Sequence, residues 1–166
     1  VDFDFENSAI IAADGAVGAI GELAKLACVV TDFDGNPHLD RAAKSGTTFV
    51  AHAHGDNIPQ WQDCLSKWRD FQHPPELILT HQVAESIDGV YNFGGFTDGD
   101  RAVCLAIGLG VAKEDITLLG FSTSKIGKWS GQTNPKRKLA KLAWMLRVLQ
   151  IIGLEEQVDT NAFEVL

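Results

Sequence analysis

Residues 29–35 of this 166-residue chain read VVTDFDG, and this stretch constrains the fold more than any other. Its β-prone residues predict a strand that ends at two aspartates, after which Gly35 favours a turn. Alternate side chains of a strand point to the same side, so Asp32 and Asp34 can approach a single point. Two neighbouring carboxylates repel each other unless a cation lies between them, and Mg²⁺ prefers such oxygen ligands. An acidic turn uses the same residue types, so this stretch alone leaves both interpretations open.

The rest of the chain alternates between short apolar runs and amphipathic segments. We predict six strands, at residues 9–13, 28–33, 47–51, 77–81, 90–93 and 116–121. Helical spacing of apolar residues predicts helices over residues 16–27, 39–44, 61–68, 98–109 and 135–152. The Lys/Arg run of the last helix is interpreted as a solvated face. This alternation predicts one α/β domain over residues 1–166, a Rossmann-like three-layer sandwich with a mostly parallel sheet of about six strands.

Polar side chains follow five of the predicted strands, at the point where each strand ends. In a parallel sheet these carboxyl ends share one edge, and ligands bind beyond that edge. The side chains are those of Asp14, Asp32, Asp34, His52, His54, Asp56, His81 and residues 94–100. We expect them to converge on one site, because so many independent placements at the same edge would be a coincidence.

Composition excludes several classes of protein. The net charge of −8 argues against binding to a nucleic-acid backbone, although a bound cation would still permit phosphate ligands. The three cysteines form no zinc-binding pair or disulfide pattern, which is typical of free thiols in a reducing compartment. No apolar stretch is long enough to span a membrane and no signal peptide is visible, so we expect a cytoplasmic protein.

Two features leave room for residues beyond this sequence. The sequence opens at Val1 in an acidic segment instead of at a methionine, which is compatible with a preceding segment of a longer natural chain. No turn residue separates the first predicted helix from the strand that starts at Cys28. Either this helix ends early, near Lys25, or residues near Ala27 are absent, because such loops usually contain several residues. The sequence leaves the oligomeric state open, a homo-oligomer included.

Transfer of a phosphorus-containing group from a nucleotide is the first chemistry that fits these residues. It depends on positioning and charge stabilisation more than on a protein nucleophile, and no nucleophile is obvious here. Glycine-rich turns let backbone N–H groups approach phosphates, and basic side chains offset charge at the leaving group. Candidate metal ligands are Asp32, Asp34, Asp56, Asp98 and Asp100. Candidate phosphate contacts are Gly55, Gly94, Gly95, Arg101, Lys125 and Lys128.

Alternatives from other classes compete with this chemistry. A haloacid-dehalogenase-like phosphatase also has a strand ending in DxDG, with Asp32 as its nucleophile, but the lysines here follow the later acidic loop instead of preceding it. A metal-dependent hydrolase would use His52, His54 and Asp56, since imidazoles suit zinc. A nucleotide-binding module without turnover is the non-enzymatic alternative.

Five segments, taken in order, carry a resemblance to a known family. They are AADGA at residues 12–16, VVTDFDG at 29–35, AHAHGDN at 51–57, NFGGFTDGDRAV at 92–103 and LLGFSTSKIGKWS at 118–130. With these segments the chain resembles the archaeal 6-hydroxymethyl-7,8-dihydropterin pyrophosphokinase family and, more distantly, the catalytic domain of thiamin pyrophosphokinase. The resemblance implies Mg²⁺-dependent transfer of diphosphate from ATP to a reduced pterin with release of AMP, a step in folate or tetrahydromethanopterin biosynthesis.

The resemblance also implies roles for individual residues. Asp32, Asp34 and Asp98 would bind the metal, with Asp98 or Asp100 orienting the acceptor hydroxyl, unless this last pair only caps the following helix. The electrostatic clamps would be Arg101 and Lys128. Nucleotide contacts would come from His52, His54, Gly55, Asp56, Asn57, Gly94, Gly95 and Lys125. Pterin contacts would come from Asp14, Asn57, Asn92 and Thr97 at its edge and from Phe96, Phe121 or Trp129 at its face.

Overall fold

The computed structural model describes residues 7–130 and 134–160, and within them four parallel strands form one open sheet. The strands lie in sequence order, and each pairs in parallel with the next. They are β1 Ile10–Ala13, β2 Leu26–Thr31, β3 Phe49–His52 and β4 Leu77–Thr80. The predicted α/β class with a parallel sheet is confirmed.

Four α-helices accompany the sheet within the described residues. They are α1 His38–Lys44, α2 Ile58–Trp68, α3 Asp98–Gly108 and α4 Pro135–Ile152. Short 3-10 turns lie at Asp14–Ala19, Leu23–Lys25, Lys113–Asp115 and Glu155–Gln157. The bounds predicted for α4 are confirmed, and Thr97 is the N-cap of α3 as expected. In the part of the chain that the structure describes, no helix is long and apolar enough to cross a bilayer.

Alternate residues of the central strands bury opposite faces of the sheet, which gives the fold three layers. Val29 and Phe49 pack in one cluster with residues of α1 and α2, including Leu39 and Trp68. Val30 and Val50 face the other way, in a cluster with Ala102 and Leu105 of α3. A further cluster joins α4 to the outer side of α3 through Val103, Leu142, Met145 and Leu149.

The two strands predicted after β4 are wrong, so the sheet has four strands instead of about six. Near residues 90–93, a single parallel bridge joins Tyr91 to Thr80, which is too short to count as a strand. Residues 116–121 form no strand, because the side chain of Gln157 takes the backbone hydrogen bonds that a partner strand would have made. The Gln157 side chain accepts the N–H of Leu118 at 2.8 Å and donates to the carbonyl of Ile116 at 3.0 Å.

The helix predicted over residues 16–27 is also wrong. Two 3-10 turns take its place, and β2 begins at Leu26, directly after the second turn. Glycine weakens a regular helix, and two glycines here are needed for close packing against a distant tryptophan. A Cβ at Gly15 would lie 2.1 Å from the carbonyl oxygen of Trp129, and a Cβ at Gly18 would lie 2.4 Å from its ring.

Trp68 is the large side chain whose loss we expect to cost this fold most. It is 1% exposed, contacts the rings of Phe33 and Phe49, and donates its indole N–H to Asp40 at 2.7 Å. Trp68→Ala should lower the free energy of unfolding, measured in urea, by about 3–5 kcal/mol. The matched control is Trp144→Ala, because Trp144 is 60% exposed. Equal losses in the two variants would contradict this account of the core.

Candidate active site

Three aspartates from separate parts of the chain meet at the carboxyl edge of the sheet. Asp14 directly follows β1, Asp32 follows β2, and Asp98 is the first residue of α3. One carboxylate oxygen from each lies within 4.8 Å of those of the other two. We call these three residues the acidic cluster. Hard divalent cations such as Mg²⁺ bind to groups of oxygen ligands of this kind.

Asp14 is held in the cluster by residues around the end of β2. Its Oδ1 accepts the hydroxyl of Thr31 at 2.5 Å and the backbone N–H of Gly35 at 3.2 Å. Its own backbone has a positive φ of 46°, which is uncommon for a non-glycine residue. A Cβ at position 35 would lie 2.4 Å from the other carboxylate oxygen of Asp14, so the close approach requires glycine. Asp14 is expected from the sequence to contact the pterin, and in the structure its carboxylate lies beside those of Asp32 and Asp98.

Asn57 ties the loop after β3 to the loop after β2. Its side-chain amide donates to the carbonyls of Asp32 and His52, at 2.9 and 2.8 Å, and its Oδ1 accepts the N–H of His54 at 3.1 Å. The ring of His54 lies between two carboxylates, with Nε2 3.3 Å from Asp32 Oδ2 and Nδ1 in contact with Asp56. These bonds fix the position of Asp32. The other carboxylate oxygen of Asp32 is buried and has no hydrogen-bond partner among the described residues.

Asp98 and Asp100 start the same helix, but their carboxylates have different surroundings. Asp100 is fully buried, and its oxygens accept the N–H of Phe96 at 2.5 Å, the N–H of Thr97 at 2.7 Å and the hydroxyl of Thr97. This is the capping-box arrangement, in which a side chain at N3 satisfies a backbone donor at the N-cap. Asp100 therefore caps α3, while the carboxylate of Asp98 joins the acidic cluster.

Crowding of these carboxylates changes their acidity. Burial, followed by the nearby charge of Asp34, raises the pKa of Asp14 to about 7. Burial, followed by the charges of Asp32, Asp14 and Asp34, raises the pKa of Asp98 well above its ordinary value. Lys138 of α4 opposes this rise. Asp34 is itself exposed and lies beside Asp14, at the margin of the cluster.

Arg101 supports the glycine-rich turn before α3. Its guanidinium donates to the carbonyl of Gly94 and to Oε1 of Gln82, both at 3.2 Å. Burial lowers the pKa of Arg101, and the charge of Asp98 opposes that change. Gly94 and Gly95 both have positive φ, and a Cβ at Gly95 would lie 2.7 Å from the backbone of Arg101. The side chain expected to clamp phosphates is thus also a structural support of the turn.

His52 is buried below this edge of the sheet. Its Nδ1 lies 3.2 Å from the hydroxyl of Thr80 on the neighbouring strand. Burial, followed by the charge of Arg101, lowers the pKa of His52 to about 4, so its ring is neutral at physiological pH. A neutral, enclosed imidazole paired within the sheet is suited to holding β3 and β4 together.

The remaining predicted site residues make local contacts of their own. Asn92 shapes the glycine-rich turn, because its side chain accepts the N–H of Gly94 and donates to Val83, both at 3.0 Å. Lys128 lies over the ring of Trp129, with Nζ 5.0 Å from the ring centroid. Phe121 packs against Gly99, and Gly55 has the positive φ of a turn. Lys125 is exposed in the loop after residue 121, where its backbone N–H donates to Ser122. Their contacts with ligands stay predictions.

Two residues of α4 that were not predicted as site residues, Lys138 and Trp144, lie near the site. Lys138 is close enough to Asp98 to favour its ionised form, although the Lys/Arg run was interpreted only as a solvated face. Trp144 lies against Phe96, with ring centroids 6.0 Å apart. No local signal marks either residue, because α4 lies more than thirty residues away from Asp98 along the chain and meets it only through packing.

The fold and the acidic cluster define the class of this protein, an α/β protein with a candidate divalent-metal site at the carboxyl edge of a parallel sheet. No protein-family model matches the chain. Curated relatives do match it, and three archaeal ones bear the name 6-hydroxymethyl-7,8-dihydropterin pyrophosphokinase.

The relatives differ in how much of each chain is matched. The protein from Pyrococcus furiosus is 46% identical over 129 residues, which is 76% of this chain and 52% of the relative. The one from Methanothermobacter thermautotrophicus is 36% identical over 123 residues, 73% of this chain and 49% of the relative. The one from Methanocaldococcus jannaschii is 36% identical over 107 residues, which is 63% of this chain and 43% of the relative. The chain is therefore a homologue of these archaeal pyrophosphokinases and spans about half of their length, which confirms the resemblance.

The raised pKa of Asp14 predicts a pH-dependent stability in the metal-free protein. Its folded pKa of about 7 lies above its ordinary value, so ionisation disfavours the folded state as pH rises. In EDTA, the free energy of unfolding should fall by about 1 kcal/mol between pH 6 and pH 8 from this group alone. Asp14→Asn keeps an oxygen acceptor but cannot ionise, so the fall should shrink by that amount.

The control for this measurement is Asp63→Asn, at an exposed position of α2. This variant should keep the pH dependence of the wild type, as measured by urea unfolding at each pH. If Asp14→Asn and the wild type lose stability equally over this range, Asp14 is not the group that holds the proton.

Proposed function

We propose that this chain transfers diphosphate from ATP to the hydroxymethyl group of 6-hydroxymethyl-7,8-dihydropterin, releasing AMP, with Mg²⁺ as its metal. The observation that carries the proposal is the meeting of Asp14, Asp32 and Asp98 at the carboxyl edge of the sheet, in a homologue of proteins named for this activity. In this proposal the product is a pterin diphosphate used in folate or tetrahydromethanopterin biosynthesis.

The acidic cluster fits Mg²⁺ by the chemistry of its donors. It offers a carboxylate oxygen from each of three residues, and Mg²⁺ usually combines few carboxylates with water and substrate phosphates. The unpartnered, buried oxygen of Asp32 is a further indication, since a buried charge without a partner is costly. Asp14, Asp32 and Asp98 would hold the metal, and Asp34 beside them is the additional candidate. When bound, Mg²⁺ supplies positive charge that offsets the charge of the phosphate oxygens.

Residues around the cluster would position the acidic groups. Asn57 and His54 fix Asp32, and Thr31 and Gly35 fix Asp14, so the carboxylates need little rearrangement when a ligand arrives. Of the two acids considered for orienting the acceptor hydroxyl, only Asp98 is available in this proposal, because Asp100 already accepts three hydrogen bonds in its cap.

The glycine-rich turn would form the wall of the site on the side of α3. Without side chains, Gly94 and Gly95 allow phosphate oxygens to approach the backbone closely. In this proposal, Arg101 contributes by holding the carbonyl of Gly94 and by adding positive charge beside Asp98. It is a positioning residue for the turn as well as a source of charge.

The proposal is tested by following conversion of ATP to AMP with purified chain, Mg²⁺ and the reduced pterin. AMP should form only when the hydroxymethyl pterin and the metal are both present. Asp32→Asn should lower kcat/KM by roughly 10²-fold or more, because the substitution removes a negatively charged ligand that would hold Mg²⁺ beside the reacting phosphates. The fold should persist by circular dichroism, since asparagine keeps the size of the side chain.

The matched control is again Asp63→Asn, at an exposed position in the middle of α2, which should retain wild-type turnover. Release of phosphate from simple phosphomonoesters, abolished by Asp32→Asn, would support the haloacid-dehalogenase-like alternative instead. Metal-dependent binding of ATP without AMP formation with any pterin or thiamin acceptor would support a binding module without turnover.

A further inference from the structure

Two large aromatic side chains lie together on the surface beside the acidic cluster. Phe96 is 46% exposed and Trp144 is 60% exposed, and their ring centroids are 6.0 Å apart with planes tilted by 39°. This spacing is that of an aromatic contact. Single exposed aromatics need no explanation, but adjacent ones form an apolar surface of the kind that binds ligands.

The chain fixes this aromatic pair close to the acids. Phe96 precedes Asp98 by two residues, and its backbone N–H donates to the carboxylate of Asp100 at 2.5 Å. Trp144 is carried by α4, which packs on α3 through Val103 and Leu142. Both rings therefore belong to elements whose positions relative to Asp98 are set by packing and hydrogen bonds.

Basic residues of α4 precede Trp144 in the helix, and Lys138 among them is near the acids. Lys141 precedes Trp144 by three residues and so shares its side of the helix. Lys138, one turn further back, opposes the rise in the pKa of Asp98. The contact with His54 is the main cause that lowers the pKa of Asp56, and the charge of Arg137 adds to it. At 1.5 Å per residue, Trp144 and Lys138 are about 9 Å apart along the helix axis. Positive charge thus runs from the rings towards the carboxylates.

We propose that Phe96 and Trp144 stack on the base of the nucleotide donor, and that Lys141 and Lys138 line the path of its phosphates to the acidic cluster. This assignment rests on the proposed function, since it deepens the donor half of that site. The donor fits this surface better than the pterin does, because only the donor joins a flat heterocycle to a chain of negative charges. The base supplies a π-face for the rings, and the phosphates match the lysines.

The test compares ATP with inorganic triphosphate, which carries the charges but has no base. Dissociation constants are measured by calorimetry with Mg²⁺ and the 166-residue chain. Trp144→Ala should weaken ATP binding by about 5- to 150-fold and leave triphosphate binding unchanged, because only ATP loses a stacking partner. Lys141→Ala should weaken both ligands. Trp144→Phe should restore most of the ATP affinity.

The matched control is Lys136→Ala, an exposed lysine at the start of α4 that lies about 140° and 160° around the helix axis from Lys141 and Lys138, and it should bind both ligands like the wild type. Unchanged ATP affinity in Trp144→Ala would overturn the assignment, as would weaker binding of the pterin instead of ATP, or no ATP binding by the wild type. If the wild type binds ATP but forms no AMP with the pterin, the proposed function fails, while the comparison of ATP with triphosphate still decides the base site.

Discussion

Repulsion among carboxylates gathered at one edge of the sheet is the interaction on which the site depends. A parallel sheet brings the ends of β1 and β2 side by side, and α3 adds Asp98 from a distant part of the chain. The repulsion is reflected in the pKa values of two of these acids. Burial and the charges of neighbouring carboxylates raise the pKa of Asp14 and that of Asp98. The three carboxylates that meet here supply oxygen ligands of the kind that a hard divalent cation binds. The geometry of the acidic cluster and the name of the relatives both support the proposed function.

The surrounding structure holds these acids against their repulsion. Thr31 and the N–H of Gly35 bind Asp14, while Asn57 connects the loops after β2 and β3 so that His54 faces Asp32. Asp100 satisfies the first turn of α3 and so fixes the direction in which that helix starts. Each support is a hydrogen bond to a backbone group or a short side chain. The acids are thus positioned by the scaffold before any ligand binds, which is the arrangement that favours electrostatic catalysis.

Local patterns predicted much of this fold and some of the site. The strands around residues 28–33 and 47–51, the cap at Thr97 and the full length of α4 follow from apolar spacing and turn chemistry, which act over a few residues. Some predictions that depended on long-range partners were wrong. Residues 116–121 have the composition of a strand, but Gln157 takes the backbone bonds that a neighbouring strand would have made. The helix predicted over residues 16–27 is replaced by two 3-10 turns in the structure, because Trp129 packs against Gly15 and Gly18.

Local sequence patterns were sufficient to predict that acids and glycines follow strands of a parallel sheet, because the alternation of strands and helices fixes which strand ends share an edge. Which of these acids meet depends on how the loops fold in three dimensions. In the folded chain Asp14, and not Asp34, lies with Asp32 and Asp98, and Asp100 caps α3. The reason is that the reach of a short carboxylate depends on the geometry of its loop. The tertiary structure also brings Trp144 and Lys138 to the site, because helix packing places residues that no local pattern connects.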